Sequence, residues 1–73
     1  MAKKAEGTVY RVTEVIGTSS TSWEDAARNA VSTAAGTLRD LRIAEIEKLD
    51  VKIEDGKVTQ FRARLALSFK YDA

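Results

Sequence analysis

Between Thr18 and Leu41 the apolar positions Trp23, Ala26, Ala27, Ala30, Val31, Ala34 and Leu38 recur at helical spacing. The intervals i, i+3, i+4, i+7 and i+8 define one face of an amphipathic helix, the one strong helical pattern in the chain. That face is mostly alanine, so whatever packs on it can approach closely. On either side of it the pattern alternates with a period of two, the signature of strand. Thr8 to Ile16 is the first expected strand: Tyr10, Val12, Glu14 and Ile16 point one way, and Val9, Arg11, Thr13 and Val15 the other. Gly17 is expected to end that strand in a sharp turn.

The helix start carries two overlapping capping boxes, Thr21 with Glu24 and Ser22 with Asp25. Ser22 is the preferred N-cap, because Trp23 then opens the apolar face. Glu24 and Asp25 complement the dipole in the first turn, and Arg39 and Arg42 suit its far end. Gly36 falls inside the expected helix, at a cost of about 1 kcal/mol relative to alanine.

Ile43 to Ile53 is the second expected strand. Its alternation places Ile43, Glu45, Glu47, Leu49, Val51 and Ile53 on one face and Ala44, Ile46, Lys48, Asp50 and Lys52 on the other. Neither face is cleanly apolar, and a bulge near Leu49 to Val51 would reset the pattern. Glu54-Asp55-Gly56-Lys57 is a hairpin signal centred on Asp-Gly. Val58 to Tyr71 follows as a long third strand. Thr59, Phe61, Ala63, Leu65, Leu67, Phe69 and Tyr71 form its apolar face; Gln60, Arg62, Arg64, Ala66, Ser68 and Lys70 form the polar one. A strand of this length is expected to reach beyond its own helix.

The order is therefore β-α-β-β. A right-handed crossover makes the second strand parallel to the first, and the hairpin makes the third antiparallel to the second. Inserting the third strand between the other two gives an α+β fold, a three-stranded antiparallel sheet wrapped around one helix. One helix covers one face of such a sheet. The other face, with Gln60, Arg62, Arg64 and Lys70, or the sheet edges, is expected to meet copies of the chain.

Size sharpens that expectation. The chain has 73 residues, read as a polar tail over 1–7 and one domain over 8–73. A domain this small hides only about 60% of its unfolded surface. With no cysteine and no histidine, disulfides, thiolate metal sites and imidazole catalysis are excluded, and any metal would be a hard cation held by oxygen. Association is left as the leading source of stability. A net charge of +1 from 12 basic and 11 acidic residues is not the footprint of a nucleic-acid binder. No run is apolar enough to span a membrane, and Met1-Ala2-Lys3-Lys4 lacks the apolar segment of a secretory signal. A cytoplasmic protein without nucleic-acid or membrane partners is the expectation.

At the level of motifs, Val9 to Ser19 (V-Y-R-V-T-E-V-I-G-T-S), Ser22 to Val31 (S-W-E-D-A-A-R-N-A-V), Thr37 to Ile46 (T-L-R-D-L-R-I-A-E-I) and Ile53 to Thr59 (I-E-D-G-K-V-T) resemble the dodecin family. The resemblance runs from about Val9 to Tyr71. It implies a hollow homododecamer that binds flavin, usually as two stacked rings held between tryptophans of neighbouring subunits, for storage rather than turnover. Three positions depart from that pattern. The family's stacking tryptophan, in W-F-E-V or W-A-E-V, is Ile43 in Ile43-Ala44-Glu45-Ile46, which removes the aromatic face. The family's glutamine on the third strand is Arg62, a charged donor that accepts no hydrogen bond. The Arg-Gly that many flavin-binding members carry after the second strand is Asp50-Val51 here. A branch lacking the tryptophan is associated with calcium, and this chain resembles that branch.

The expected function is thus a dodecin-like small-ligand store with an altered flavin pocket and calcium as the favoured ion. A flavin-storing dodecin and a purely structural shell are the alternatives. Ile43, Glu45, Arg62 and Arg64 are the candidate ligand-site residues; Glu45, Glu47 and Asp50 are the candidate metal ligands. No D-x-D-x-D-G loop is present, so a calcium site has to be assembled between subunits. Arg62 and Arg64 are expected to bridge Glu45 and Glu47, and Trp23 to serve as a core staple rather than a flavin contact. Nothing marks a catalytic pair, so no enzyme is expected. Phe61, Phe69 and Tyr71 fall on the helix side, which argues against an RNA-binding sheet face.

Overall fold

The computed structural model describes residues 7–70; most of the expected tail over 1–7, and Tyr71, lie outside that range. Its elements are β1 (Tyr10–Ser19), α1 (Trp23–Ala35), β2 (Leu41–Glu54) and β3 (Lys57–Lys70). β3 lies between β1 and β2 and pairs antiparallel with both. The β-α-β-β order and the inserted third strand match the sequence reading.

Helix α1 starts as its sequence requires. Ser22 is the N-cap in extended backbone, and its hydroxyl accepts from the Asp25 N–H at 3.0 Å. The Asp25 carboxylate accepts the buried Ser19 hydroxyl at 2.7 Å, which locks the end of β1 to the first helical turn. The helix stops earlier than its apolar periodicity. Gly36 is the C-cap rather than an interior residue, and Thr37 and Leu38 fold back by donating their N–H groups to the Ala34 carbonyl. No basic residue occupies the last turn, so Arg39 and Arg42 do not complement the dipole there. Asp40, at φ 55°, turns the chain into β2 in the left-handed region that a short polar side chain tolerates.

The core is the alanine stripe against the centre of β3. Ala26, Ala30 and Ala34 are buried over Ala63, Leu65 and Leu67, flanked by Val15, Ala27, Val31, Leu38 and Leu41. Gly17 does not end β1; it sits within the strand opposite Ala63. A Cβ there would run into the Ala26 carbonyl oxygen and stand 2.7 Å from the Ala30 Cβ. Its role is close approach of helix to strand, which is also why the facing helical residues are alanine.

Thirteen helical residues span about 20 Å, whereas fourteen strand residues span about 48 Å. The β2–β3 hairpin therefore runs on past Trp23 and past the end of β1 at Ser19, which pairs with Phe61. The third strand does extend beyond its own helix, as its length implies. The hairpin closes through Asp55 and Gly56, at φ 52° and 74°. Two positive φ values are what a tight turn needs if its twist is to match the strands, and Asp-Gly supplies them.

The bulges lie elsewhere than at Leu49 to Val51. The register of β2 against β3 shifts between Leu41 and Ile43, between Ile46 and Lys48, and between Lys52 and Ile53. Glu47 is the extra residue of the central bulge, and this reassigns the faces of β2. Ala44, Ile46, Leu49 and Val51 stand opposite Leu67, Leu65, Ala63 and Phe61 on the helix side. Ile43, Glu45, Lys48 and Asp50 stand opposite Ser68, Ala66, Arg64 and Arg62 on the side without a helix.

Candidate functional site: the helix-free sheet face

That open face is laid out in rows by the register. Glu14, Ala66 and Glu45 form one row, Ile16, Arg64 and Lys48 the next, and Thr18, Arg62 and Asp50 the third. Ile43 lies beyond the first row, across from Ser68, and is 61% exposed. The structure thus gathers every sequence-derived candidate on one surface: Ile43, Glu45, Glu47, Asp50, Arg62 and Arg64. A strict alternation separates Asp50 from Glu45 and Glu47; the bulge at Glu47 brings them to the same side.

Two of the departures from the family pattern prove to be one interaction. Arg62 donates from Nε to Asp50 Oδ1 at 2.8 Å and from Nη2 to Oδ2 at 3.3 Å. This forked pair is the geometry a guanidinium makes with a carboxylate. The hydrogen bond from Arg62 holds the Asp50 carboxyl below its ordinary range, and Asp50 in turn raises Arg62. Asp50 therefore offers a cation less than a free carboxylate would. Arg62 bridges Asp50, its directly opposite neighbour, rather than Glu45 or Glu47.

Trp23 reaches this corner from the other side of the sheet. Its indole Nε1–H donates to the Asp50 backbone carbonyl at 3.0 Å. Its ring meets Phe61 edge-on at 5.2 Å and 75°, a favourable aromatic arrangement. The staple reading holds in this form: Trp23 pins the helix start to the base of the hairpin, at the rim of the core and 39% exposed.

Glu47 is the acid on this face whose proton affinity is raised. Its carboxyl is pushed up, first by a hydrogen bond to the Glu14 carboxyl, then by desolvation and by the charges of Glu14 and Glu45; Arg64 opposes the shift. Glu14 on β1 and Glu45 on β2 stand on either side of Ala66 of β3, and Glu47 is the bulge residue between Ile46 and Lys48. Sequence reading passed over Glu14, although its alternation with Tyr10, Val12 and Ile16 puts it on this face. Carboxylates are the right donors for a hard cation. Among the described residues no three of them converge closely enough to hold a metal within one subunit.

A short helix laid on the middle of a longer sheet, with apolar residues left bare along both, defines a small α+β subunit built for association. Among the described residues the exposed large apolar side chains include Val12, Ile16, Ile43, Ile46, Leu49, Ile53 and Val58. The Dodecin family model matches residues 9–72, and the chain belongs to that family. It is 44% identical to calcium dodecin of Mycobacterium tuberculosis over 63 residues, covering 85% of this chain and 87% of the relative. Among solved structures, dodecin from Streptomyces coelicolor superposes with a TM-score of 0.87 at 40% identity, covering 94% of this chain and 99% of that one. The crystal structure of the calcium-chelating immunodominant antigen calcium dodecin from Mycobacterium tuberculosis, with a novel calcium-binding site, gives a TM-score of 0.78 at 41% identity. It covers 89% of this chain and 93% of the other.

Proposed function

We propose that the chain is a calcium-binding storage dodecin, assembled as a hollow homododecamer, in which flavin binding has been lost. The observation that carries this reading is the helix-free face, where Ile43 replaces the aromatic stacking surface and Glu14, Glu45 and Glu47 gather oxygen donors. The likeness to calcium dodecin supports the choice of ion. Glu45 and Glu47 are the ligands proposed on each subunit. Asp50 contributes through a partner only if it exchanges Arg62 for the ion. One subunit supplies too few oxygens for the six to eight that calcium takes, so the site is completed where copies meet. Ile43, Arg62 and Arg64 line the remnant of the family's ligand site. The protein is not an enzyme, acts in the cytoplasm, and has itself and a small ligand or ion as partners, with no nucleic acid or membrane.

Two titrations test this. Calcium added to chelator-treated protein is expected to give a heat of binding and a higher melting temperature. Riboflavin is expected to keep its fluorescence when protein is added. A silent calorimeter together with an unchanged melting temperature contradicts the calcium reading, and strong quenching restores the flavin one.

A further inference from the structure

Asp50 is held twice, by different groups on the two sides of the sheet. Its main-chain carbonyl accepts the Trp23 indole N–H at 3.0 Å. The indole ring in turn meets Phe61 edge-on at 5.2 Å, next to Arg62 in β3. On the open side Arg62 takes both carboxylate oxygens, Nε on Oδ1 at 2.8 Å and Nη2 on Oδ2 at 3.3 Å. The Arg62 and Asp50 side chains are 39% and 54% exposed, so water reaches the fork. An ion pair in that setting is held only weakly and exchanges readily. The main chain of Asp50, by contrast, keeps its anchor whichever partner the carboxylate takes. Asp50 can therefore change partner by side-chain rotation alone.

The guanidinium is a permanent cation with two parallel donors aimed at these two oxygens. They are the same two oxygens that a carboxylate offers when it binds calcium in bidentate fashion. Guanidinium and ion therefore contend for one pair of oxygens, and their like charges oppose sharing it. From this arrangement we infer that Arg62 is a tethered competitor for the calcium proposed above. It occupies Asp50 while the ion is scarce and yields the carboxylate when the ion arrives, which raises the calcium concentration at which the site fills. Arg62 is then neither a ligand nor a passive brace; it sets the affinity of the site through Asp50. The inference rests on the calcium reading and adds to it a threshold built from this chain's own residues. Both members of the pair are departures from the family pattern, and the competition requires both together.

Calorimetric titration of chelator-treated protein with calcium tests it on four chains: wild type, Arg62→Gln, Asp50→Asn and the double variant. Arg62→Gln removes the fork and leaves the carboxylate in place. Calcium is expected to bind roughly fivefold tighter, the scale on which an exposed ion pair is held. In the Asp50→Asn background the contested carboxylate is gone, so adding Arg62→Gln is expected to bring no further change. The cycle separates competition at Asp50 from the general effect of removing a positive charge, which appears in both backgrounds. Arg62→Lys keeps the charge and loses the fork, and is expected to show part of the gain. Circular dichroism and native mass confirm that each chain folds and assembles like wild type. Should Arg62→Gln fail to fold, Arg62→Lys carries the comparison in both backgrounds. Equal affinity in wild type and the Arg62 variants, or an equal gain with and without Asp50, overturns the inference and leaves the calcium reading standing. Absence of calcium binding in all the chains overturns the calcium reading and the competition together.

Discussion

The two faces of the sheet obey different rules. On the helix side, the contacts are made within one chain and are apolar and small: Ala26, Ala30 and Ala34 against Gly17, Ala63, Leu65 and Leu67. On the open side, charges face one another in pairs and rows, and among the described residues only Asp50 and Arg62 form a forked ion pair. The first face specifies the subunit, because close packing tolerates few alternatives. The second leaves most of its charged side chains and Ile43 exposed, available to what the subunit joins. One side of the small sheet thus carries the fold, and the other carries the site proposed above.

The largest effects of substitution are expected on the helix side. Leu65→Ala removes a fully buried side chain at the centre of the core, and a loss of about 3 kcal/mol is expected from burial and cavity together. Denaturant unfolding at fixed protein concentration measures it. Gly17→Ala adds a methyl group where the Ala26 backbone leaves no space, with an expected loss of about 2 kcal/mol. A smaller loss at Gly17 than at an exposed glycine such as Gly7 would break the claim that helix and strand are held at glycine distance. Trp23→Phe keeps an aromatic ring but removes the indole donor to the Asp50 carbonyl, and about 1 kcal/mol is expected to go with it.

On the open side the effects lie in ligand preference and pH rather than in size. Ile43→Trp together with Arg62→Gln restores an aromatic surface and an amide, and flavin affinity is expected to rise in fluorescence titrations. The same double variant releases Asp50, so calcium binding is expected to persist or strengthen. The pH dependence has two opposed parts. Asp50 is held below its ordinary value of 3.8 by Arg62, so its contribution is complete above that pH and is lost as the pH falls through its folded value. Glu47 is raised above its ordinary 4.5 by Glu14 and Glu45. The folded chain therefore holds that proton more tightly, and stability declines as the pH rises from 4.5 through the raised value. Asp50→Asn is expected to flatten the acid limb of a melting-temperature profile, and Glu47→Gln the decline above it. Unchanged limbs in both variants would mean that the open face is electrostatically indifferent.

The contrast between the faces also explains how much was legible in the sequence. The helix start at Ser22, the Asp-Gly turn, the inserted third strand and the alanine stripe all follow from local rules of capping, turn conformation and periodicity. The helix end does not, because Leu38 keeps the helical spacing although Gly36 has already capped the helix. Gly17 is misread for a related reason: a glycine beside a loop looks like a turn until the helix packed over it is known. The site suffered most from the bulge. An extra residue at Glu47 reverses the sides of every residue that follows it in β2, up to the next register shift; the mixed faces of the strand signal a bulge but do not fix its position. With the register known, Asp50 and Arg62, two separate departures when read along the chain, become one ion pair, and Glu14 joins the acidic row from the first strand.

The native mass spectrum of the purified protein, recorded with and without added calcium, tests the central claim most directly: that this sheet face is completed by copies of the chain and a hard cation. A closed assembly of about twelve subunits is expected from the family resemblance, carrying calcium in proportion to its subunits and no flavin. A single-subunit mass at micromolar concentration, or an assembly that carries flavin and ignores calcium, would contradict it.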